Sequence, residues 1–399
     1  MLVYLINIFL IMVWALIFCT GKRTRLKKTM FVGICFAQCF LISAYRYGIG
    51  ADYSQYAVGF FSMARDGFSV MSYEDWEIGY ILLNKIIGIF TAQPSVFIMV
   101  TSFIILTGPA YLILRYSVNP FMSVFLYVNL YLFYLDMNYL RQAIAMSILC
   151  FAYGFLRDKR FWRFLLIVAV AACFHLTVLY MIPVYLVSLL KVNTRSMTLY
   201  LFGLLFYYIL SDGVLNIILS KFHTEYSGSI FIESGIYFYY AFFPLLICAG
   251  MVALSYFAKN KSRSLELLMH LTLMMGFWQI VMTKHALFER FSYYTMLFVV
   301  LAIPEAINAF RDQLKINLRE KYTKAYKGKD NDENSRVAVR IADGKTAVAV
   351  ALVTVGVLLL AFAYNMMGLI IPENGVHGVL PYQLQGGSQI PSIDSLFKN

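Results

Sequence analysis

Three arginines of this sequence each stand close to a carboxylate inside otherwise apolar stretches. Arg46 precedes Asp52 in "YRYGIGADYSQY", Arg141 follows Asp136 in "YLDMNYLRQAIAMS", and Arg290 follows Glu289 in "TKHALFERFSYY". A guanidinium is planar, permanently charged and able to grip two oxygens at once, so it suits an anionic phosphate. The same three could instead be structural pins, Arg46 paired with Asp52, Arg141 with Asp136 and Arg290 with Glu289. Asp52 has two readings of its own: a partner of Arg46 or cap for a helix over "ADYSQYAVGF", or a general base that takes a proton from a hydroxyl. His175, in "ACFHLTVLYMIP", is either a core hydrogen-bonder or a second candidate base, since it interrupts an apolar run. Gln142, Lys284 and His285 complete the polar set. Tyr53, Tyr56, Trp76 and Tyr382 offer rings that could stack on sugar faces or simply belong to an interfacial belt.

The elements that must hold these residues are membrane helices. Of 399 residues 61% are apolar and 14% charged, too little polar surface to cover a soluble core. Apolar runs long enough for ~30 Å of hydrocarbon recur from end to end, and they are continuous rather than alternating, which excludes a β-barrel. The expected fold class is an all-α polytopic membrane protein with about twelve transmembrane helices (11–14). The spans expected are 2–19, 30–45, 95–115, 119–135, 140–157, 162–174, 176–191, 197–211, 236–257, 265–283, 289–308 and 346–370. "MLVYLINIFLIMVWALIF" has no basic region ahead of it and no small-residue cleavage site, so it reads as an uncleaved span.

Alternate loops carry "GKRTRLKK", Arg115, "RDKRFWR", Lys191 with Arg195, "KNKSR" and the charged segment 310–345, and together hold all but eight of the 33 Lys and Arg. Basic loops stay in the cytoplasm, which puts both termini on the periplasmic or extracellular side. Residues 45–94 then form a large outer loop and 371–399 an outer tail. "IGYILLNKIIGIF" (78–90) is short, carries Asn84 and Lys85, and would invert every later loop if it crossed. It is expected to lie in the outer interface or to re-enter. Another interfacial helix is expected at 214–226, within an outer segment 212–235. Residues 310–345 read as a helical extension plus a flexible loop. No internal repeat of fixed period is visible.

This topology gathers Arg46, Asp52, Asp136, Arg141, Gln142, His175, Lys284, His285, Glu289 and Arg290 at outer span ends. Charge at membrane depth is costly and marks a site or a partner. An anionic, lipid-linked substrate fits the arrangement. The net charge of +12 orients spans and meets anionic lipid, so no nucleic acid is expected. The six cysteines lie in or beside apolar runs as packing residues. The outer face shows no DxD, HxxxH or CxxC, and the chain has no GxGxxG, GxxxxGK[ST] or GxSxG. Neither a metal nor a nucleotide cofactor is therefore expected.

"YRYGIGADYSQY" resembles the EpsG family of polysaccharide polymerases, whose pattern is an Arg, then Gly-x-Asp-Tyr, then a further Tyr. "LRQAIAMSILCFAYGFLRDKRFWRFLLIVAVAACFHLTVL" continues the likeness, with Arg-Gln-x-x-Ala opening a span, a short basic turn and a helix ending in His. "FERFSYY" (288–294) and "VLPY" (379–382) look like later landmarks, and the likeness runs over roughly 40–310. The resemblance implies a Wzy-type polymerase of O-antigen, capsule or exopolysaccharide, similar to the GT-C membrane glycosyltransferases. Its substrates would be undecaprenyl-pyrophosphate-linked oligosaccharides at the outer face of the bacterial cytoplasmic membrane. The growing glycan would pass to the non-reducing end of an incoming unit. Arg46, Arg141 and Arg290 would hold the pyrophosphate, and Asp52, or His175 as second choice, would activate the acceptor hydroxyl. Tyr53, Tyr56, Gln142, His285, Glu289 and Tyr382 would support the glycan. A chain-length regulator and a flippase would be its partners.

Two other classes fit part of the pattern. A lipid-linked-oligosaccharide flippase would thread polar residues through the midplane, whereas here they collect at one end. A membrane sugar O-acyltransferase would want a buried histidine with a carboxylate, and no such pair stands adjacent in the sequence.

Overall fold

Helix starts are set by residues that satisfy orphan N–H groups. Thr24 accepts from Lys27 N–H ahead of the helix at Arg25–Ala44, Asn119 from Met122 N–H ahead of Pro120–Asn129, and Ser262 from Leu265 N–H ahead of Arg263–Val281. Pro94 and Pro120 stand in first turns, where the N–H they lack has no helical partner to lose. The computed structural model describes every residue except 23, 66–75, 223–237, 260, 327–331, 374–375 and 385–399. Its helices are α1 (Leu2–Phe18), α2 (Arg25–Ala44), α3 (Tyr53–Arg65), α4 (Ile78–Phe90), α5 (Pro94–Tyr116), α6 (Pro120–Asn129), α7 (Leu132–Asn138), α8 (Leu140–Arg157), α9 (Phe161–Ala172), α10 (Met181–Val187), α11 (Thr194–Phe222), α12 (Phe238–Phe257), α13 (Arg263–Val281), α14 (Glu289–Met296), α15 (Val299–Tyr326) and α16 (Asp332–Ile370). Short 3-10 turns occupy Leu176–Tyr180, Ala286–Phe288 and Val376–Gly378. Apart from one isolated β-bridge, the described residues hold no extended pairing.

The chain is a polytopic helical membrane protein. Among the described residues four helices are long and apolar enough to cross a membrane: α2, α5, α13 and the Arg336–Ile370 part of α16. The number rises to six if α6 with α7, and Ala286–Met296 with Val299–Lys324, each count as one span bent by 52°. Length and composition thus give fewer spans than the twelve expected. Shorter apolar helical stretches of 10–17 residues accompany these, α1, α4 and α9 among them. At 1.5 Å per residue, thirteen residues reach only ~20 Å of a ~30 Å core.

Two compact units divide the chain: Met1–Tyr185 with Tyr364–Asn399, and Leu186–Ala363. In the first, α5 lies between α2 and α8. A Cβ on Gly108 would overlap the Ser147 backbone; with hydrogen there, Gly108 N–H donates to Ser147 Oγ (3.0 Å) and that hydroxyl donates to Ile104 O (2.7 Å). Beside this contact, α3 and α4 pack Tyr53, Tyr56, Phe60 and Tyr80 against Phe97, Leu140 and Ile144. α4 has the bounds of the short apolar stretch 78–90.

In the second unit α13 packs against α12, α14 and α15. One expectation changes here, and another is met in part. The interfacial helix expected at 214–226 is not a separate element as far as Phe222: α11 runs unbroken from Thr194 through Phe222, and residues 223–237 lie outside the described ones. The charged stretch 310–345 is helical on both sides of 327–331, as the ends of α15 and α16. Arg319 grips both oxygens of Asp343 (2.9 and 2.7 Å), with Lys315 at 3.6 Å. Opposite charges that the sequence shows as a mixed run are thereby paired between two helices.

Candidate active site

The segment 45–52 folds as a turn that needs glycine. Gly48 and Gly50 have φ of +60° and +101°, the left-handed region where a side chain is strained. A Cβ on Gly50 would also stand 3.2 Å from Met137 O. The turn is zipped to the C-terminal segment: Arg46 bridges Leu384, Tyr47 N–H donates to Gln383 O (3.0 Å), and Gly50 and Ala51 N–H donate to Gly378 O and His377 O (both 3.1 Å). Tyr382 donates to Ile42 O (2.8 Å), and Tyr4 to Val379 O (3.0 Å).

Arg46 is fully buried beneath that zipper. Its Nη1 bonds Ser43 O, Ser43 Oγ (2.8 Å) and Ser102 Oγ (3.2 Å), its Nη2 bonds Met137 O (3.0 Å), and its guanidinium lies 6.0 Å from the Tyr53 ring centroid. Burial pulls its pKa down, to about 10, which leaves it cationic at neutral pH. The residue expected to hold pyrophosphate is thus engaged inside the protein, pinning α2, α5 and α7 together. Asp52 is half-buried at the entrance to α3; its N–H donates to Asn138 Oδ1 (3.1 Å) and its carbonyl accepts from Tyr56 N–H (3.2 Å). Tyr53 and Tyr56 keep only 3% and 5% of their surface, so their rings face protein. Gln142 is buried as well.

Arg141 and His175 do come together, around a residue the sequence reading passed over. Glu77, just ahead of α4, accepts from Arg141 Nη1 through Oε2 (2.7 Å) and meets His175 Nδ1 through Oε1 (2.9 Å). Leu176 N–H adds a bond to Oε1 at 3.2 Å. Burial pushes the Glu77 carboxyl up, but the His175 hydrogen bond and the Arg141 charge outweigh it and hold it at about 2. Asp136, expected beside Arg141, instead accepts from Tyr127. Trp76 lies 5.8 Å under the Arg141 guanidinium.

Close backbone approach makes this meeting possible. Gly79 N–H donates to Cys173 O at 2.7 Å, and a Cβ on Gly79 would stand 2.7 Å from that oxygen and 2.9 Å from Cys173 Cβ. His175 is presented by the break between α9 and the Leu176 turn, where its backbone is extended (φ −159°). An ionised carboxylate at Nδ1 fixes the tautomer that carries its proton there, so Nε2 is the basic nitrogen. The sequence carries one signal for Glu77: a carboxylate directly before a short apolar stretch that holds Asn84 and Lys85.

His285, Glu289 and Arg290 belong to the second unit. His285 Nε2 meets Asp212 Oδ1 (2.8 Å), Lys284 Nζ meets Asp212 Oδ2 (2.9 Å), and Glu289 accepts from Tyr293. Arg290 is half-buried in the first turn of α14.

The profile of the EpsG family matches residues 29–319, most of the chain. The chain belongs to the EpsG family. No curated protein and no solved structure matches it. Membership makes it a membrane protein of polysaccharide biosynthesis. The arginine of the Arg-Gln-x-x-Ala run and the histidine that ends the following helix, Arg141 and His175, are the residues that meet at Glu77.

Proposed function

We propose that this EpsG-family chain is a glycosyltransferase that polymerises undecaprenyl-pyrophosphate-linked oligosaccharide repeat units. The observation that carries the reading is the Arg141–Glu77–His175 constellation: a phosphate-binding cation and an oriented base share one carboxylate. In the step envisaged, His175 Nε2 takes the proton of the acceptor hydroxyl at the non-reducing end of the incoming unit. The acceptor oxygen bonds to the anomeric carbon of the growing glycan, and the bond from that carbon to the pyrophosphate oxygen breaks. Arg141 stabilises the charge that develops on the leaving undecaprenyl pyrophosphate. Glu77 holds the imidazole in its tautomer and stabilises the imidazolium.

Asp52 then serves the turn that starts α3, and Arg46 the scaffold beneath it. The membrane is the bacterial cytoplasmic membrane, with the site and both termini outside, as the basic loops favour. Short and bent helices complete the remaining crossings of a GT-C-like fold of about twelve spans.

A second reading has an observation of its own. A sugar O-acyltransferase wants a buried histidine with a carboxylate; none stand adjacent in the sequence, but His175 and Glu77 form such a pair at 2.9 Å. Reconstituted protein given synthetic lipid-linked repeat units separates the readings. A ladder of longer glycans with release of undecaprenyl pyrophosphate supports polymerisation. Transfer of an acyl label, or movement of unreacted lipid across the bilayer without elongation, contradicts it.

A further inference from the structure

We infer that the Lys284–Asp212–His285 cluster is a second phosphate-recognition site, which takes the pyrophosphate of a second polyprenyl-linked molecule. The inference rests on the polymerase reading above, since that reaction holds two such molecules at once.

The two clusters share a backbone device that no sequence repeat announces. At the first, Cys173 N–H donates to Val170 O (3.2 Å), Phe174 N–H to Ala171 O (2.9 Å), and His175 N–H to Ala171 O as well (3.1 Å). The chain then turns extended at His175, and Val178 N–H closes on His175 O at 3.2 Å. At the second, Thr283 N–H donates to Ile280 O (3.2 Å), Lys284 N–H to Val281 O (3.0 Å), and His285 N–H to Val281 O (3.2 Å). His285 is likewise extended, and Phe288 N–H closes on His285 O at 3.1 Å. In both places a helix unwinds over two or three residues, presents a histidine and enters a 3-10 turn.

The side chains repeat the pattern. Each histidine meets one oxygen of a carboxylate while a cation takes the other: 2.9 and 2.7 Å at Glu77, 2.8 and 2.9 Å at Asp212. Each cation also lies over an aromatic ring, Arg141 at 5.8 Å from Trp76 and Lys284 Nζ at 5.2 Å from Tyr208. Asp212 comes from within α11 and its side chain is 61% exposed, whereas the Glu77 side chain is 17% exposed. A lone surface ion pair would not need a histidine, a ring and an unwound helix end to hold it. Lys284 Nζ also meets Ser211 Oγ (3.0 Å) and Tyr208 O (3.2 Å), so the ammonium is held in place and an arriving phosphate would exchange for one of these partners. Arg290, in the first turn of α14, adds a positive charge to the same short segment.

The test uses the full chain in phosphatidylcholine nanodiscs, with bound undecaprenyl pyrophosphate counted per chain by native mass spectrometry. Two should bind the unaltered protein, and the Lys284→Met/His285→Gln variant should keep one. One molecule on the unaltered protein, or two on the variant, would overturn the second site and leave the polymerase reading standing. None on either would sink both. Acetylation of Lys284 in the unaltered protein gives a readout free of any folding defect. Undecaprenyl pyrophosphate should slow it severalfold, and inorganic pyrophosphate should compete. Equal protection by phosphatidylglycerol would mark Lys284 as a contact for bulk anionic lipid and overturn the assignment.

Discussion

Glu77 and His175 are 98 residues apart in the chain and meet at 2.9 Å. The contact gives the histidine a defined tautomer and joins it to Arg141 through a single carboxylate. Replacing Glu77 with Gln keeps the shape and removes the charge. Loss of an oriented base costs ~10²–10⁴-fold in rate. Elongation by purified Glu77→Gln should therefore collapse while the protein stays folded, and near-normal turnover would remove Glu77 from the mechanism.

The same carboxylate makes stability depend on pH. Held at about 2, Glu77 contributes stability that is complete above its unfolded-state value and lost as pH falls toward the folded one. The thermal midpoint of the unaltered protein should drop between roughly pH 5 and roughly pH 2 more than that of Glu77→Gln. Parallel curves would mean that the ion pair adds nothing to the fold.

Gly79→Ala tests the geometry without touching the chemistry. The new methyl would meet Cys173 O and Cys173 Cβ at 2.7 and 2.9 Å and push the start of α4 away. Overpacking of this kind costs ~1–3 kcal/mol, and here it also separates Glu77 from His175. Activity should fall far more than the thermal midpoint does. A shift in stability alone would show that the site tolerates the displacement.

Much of the fold was legible in the sequence, and the site only in part. The bounds of α4 follow from the short apolar stretch 78–90, and the break at His175 from its interruption of an apolar run. Arg141 and His175 were chosen for their chemistry, but the carboxylate that joins them is set by tertiary approach at Gly79, which no spacing rule reveals. Arg46 shows the opposite limit. Its charge at a span end looked like a ligand's partner, yet Ser43, Ser102 and Met137 take it inside the protein. Paired helices at Arg319 and Asp343 were hidden because a mixed-charge run reads as a solvated loop until its partners are known.

Arg46→Ala should accordingly behave as a folding variant. It strips donors from four buried oxygens and unpins the turn that holds the C-terminal segment. A cost of about 2–4 kcal/mol is expected for buried bonds of this kind. Lowered thermal stability and faster proteolysis of the C-terminal segment would report it. A stable but inactive Arg46→Ala would return Arg46 to the binding site.

The most direct measurement is chain extension by reconstituted protein in a single turnover, comparing His175→Gln with Asp52→Asn at matched folded amounts. The account predicts that the unaltered protein lengthens a synthetic undecaprenyl-pyrophosphate-linked glycan and releases undecaprenyl pyrophosphate, that Asp52→Asn retains most of this activity, and that His175→Gln loses it. Full extension by His175→Gln with a dead, stable Asp52→Asn would contradict it and move the base to Asp52.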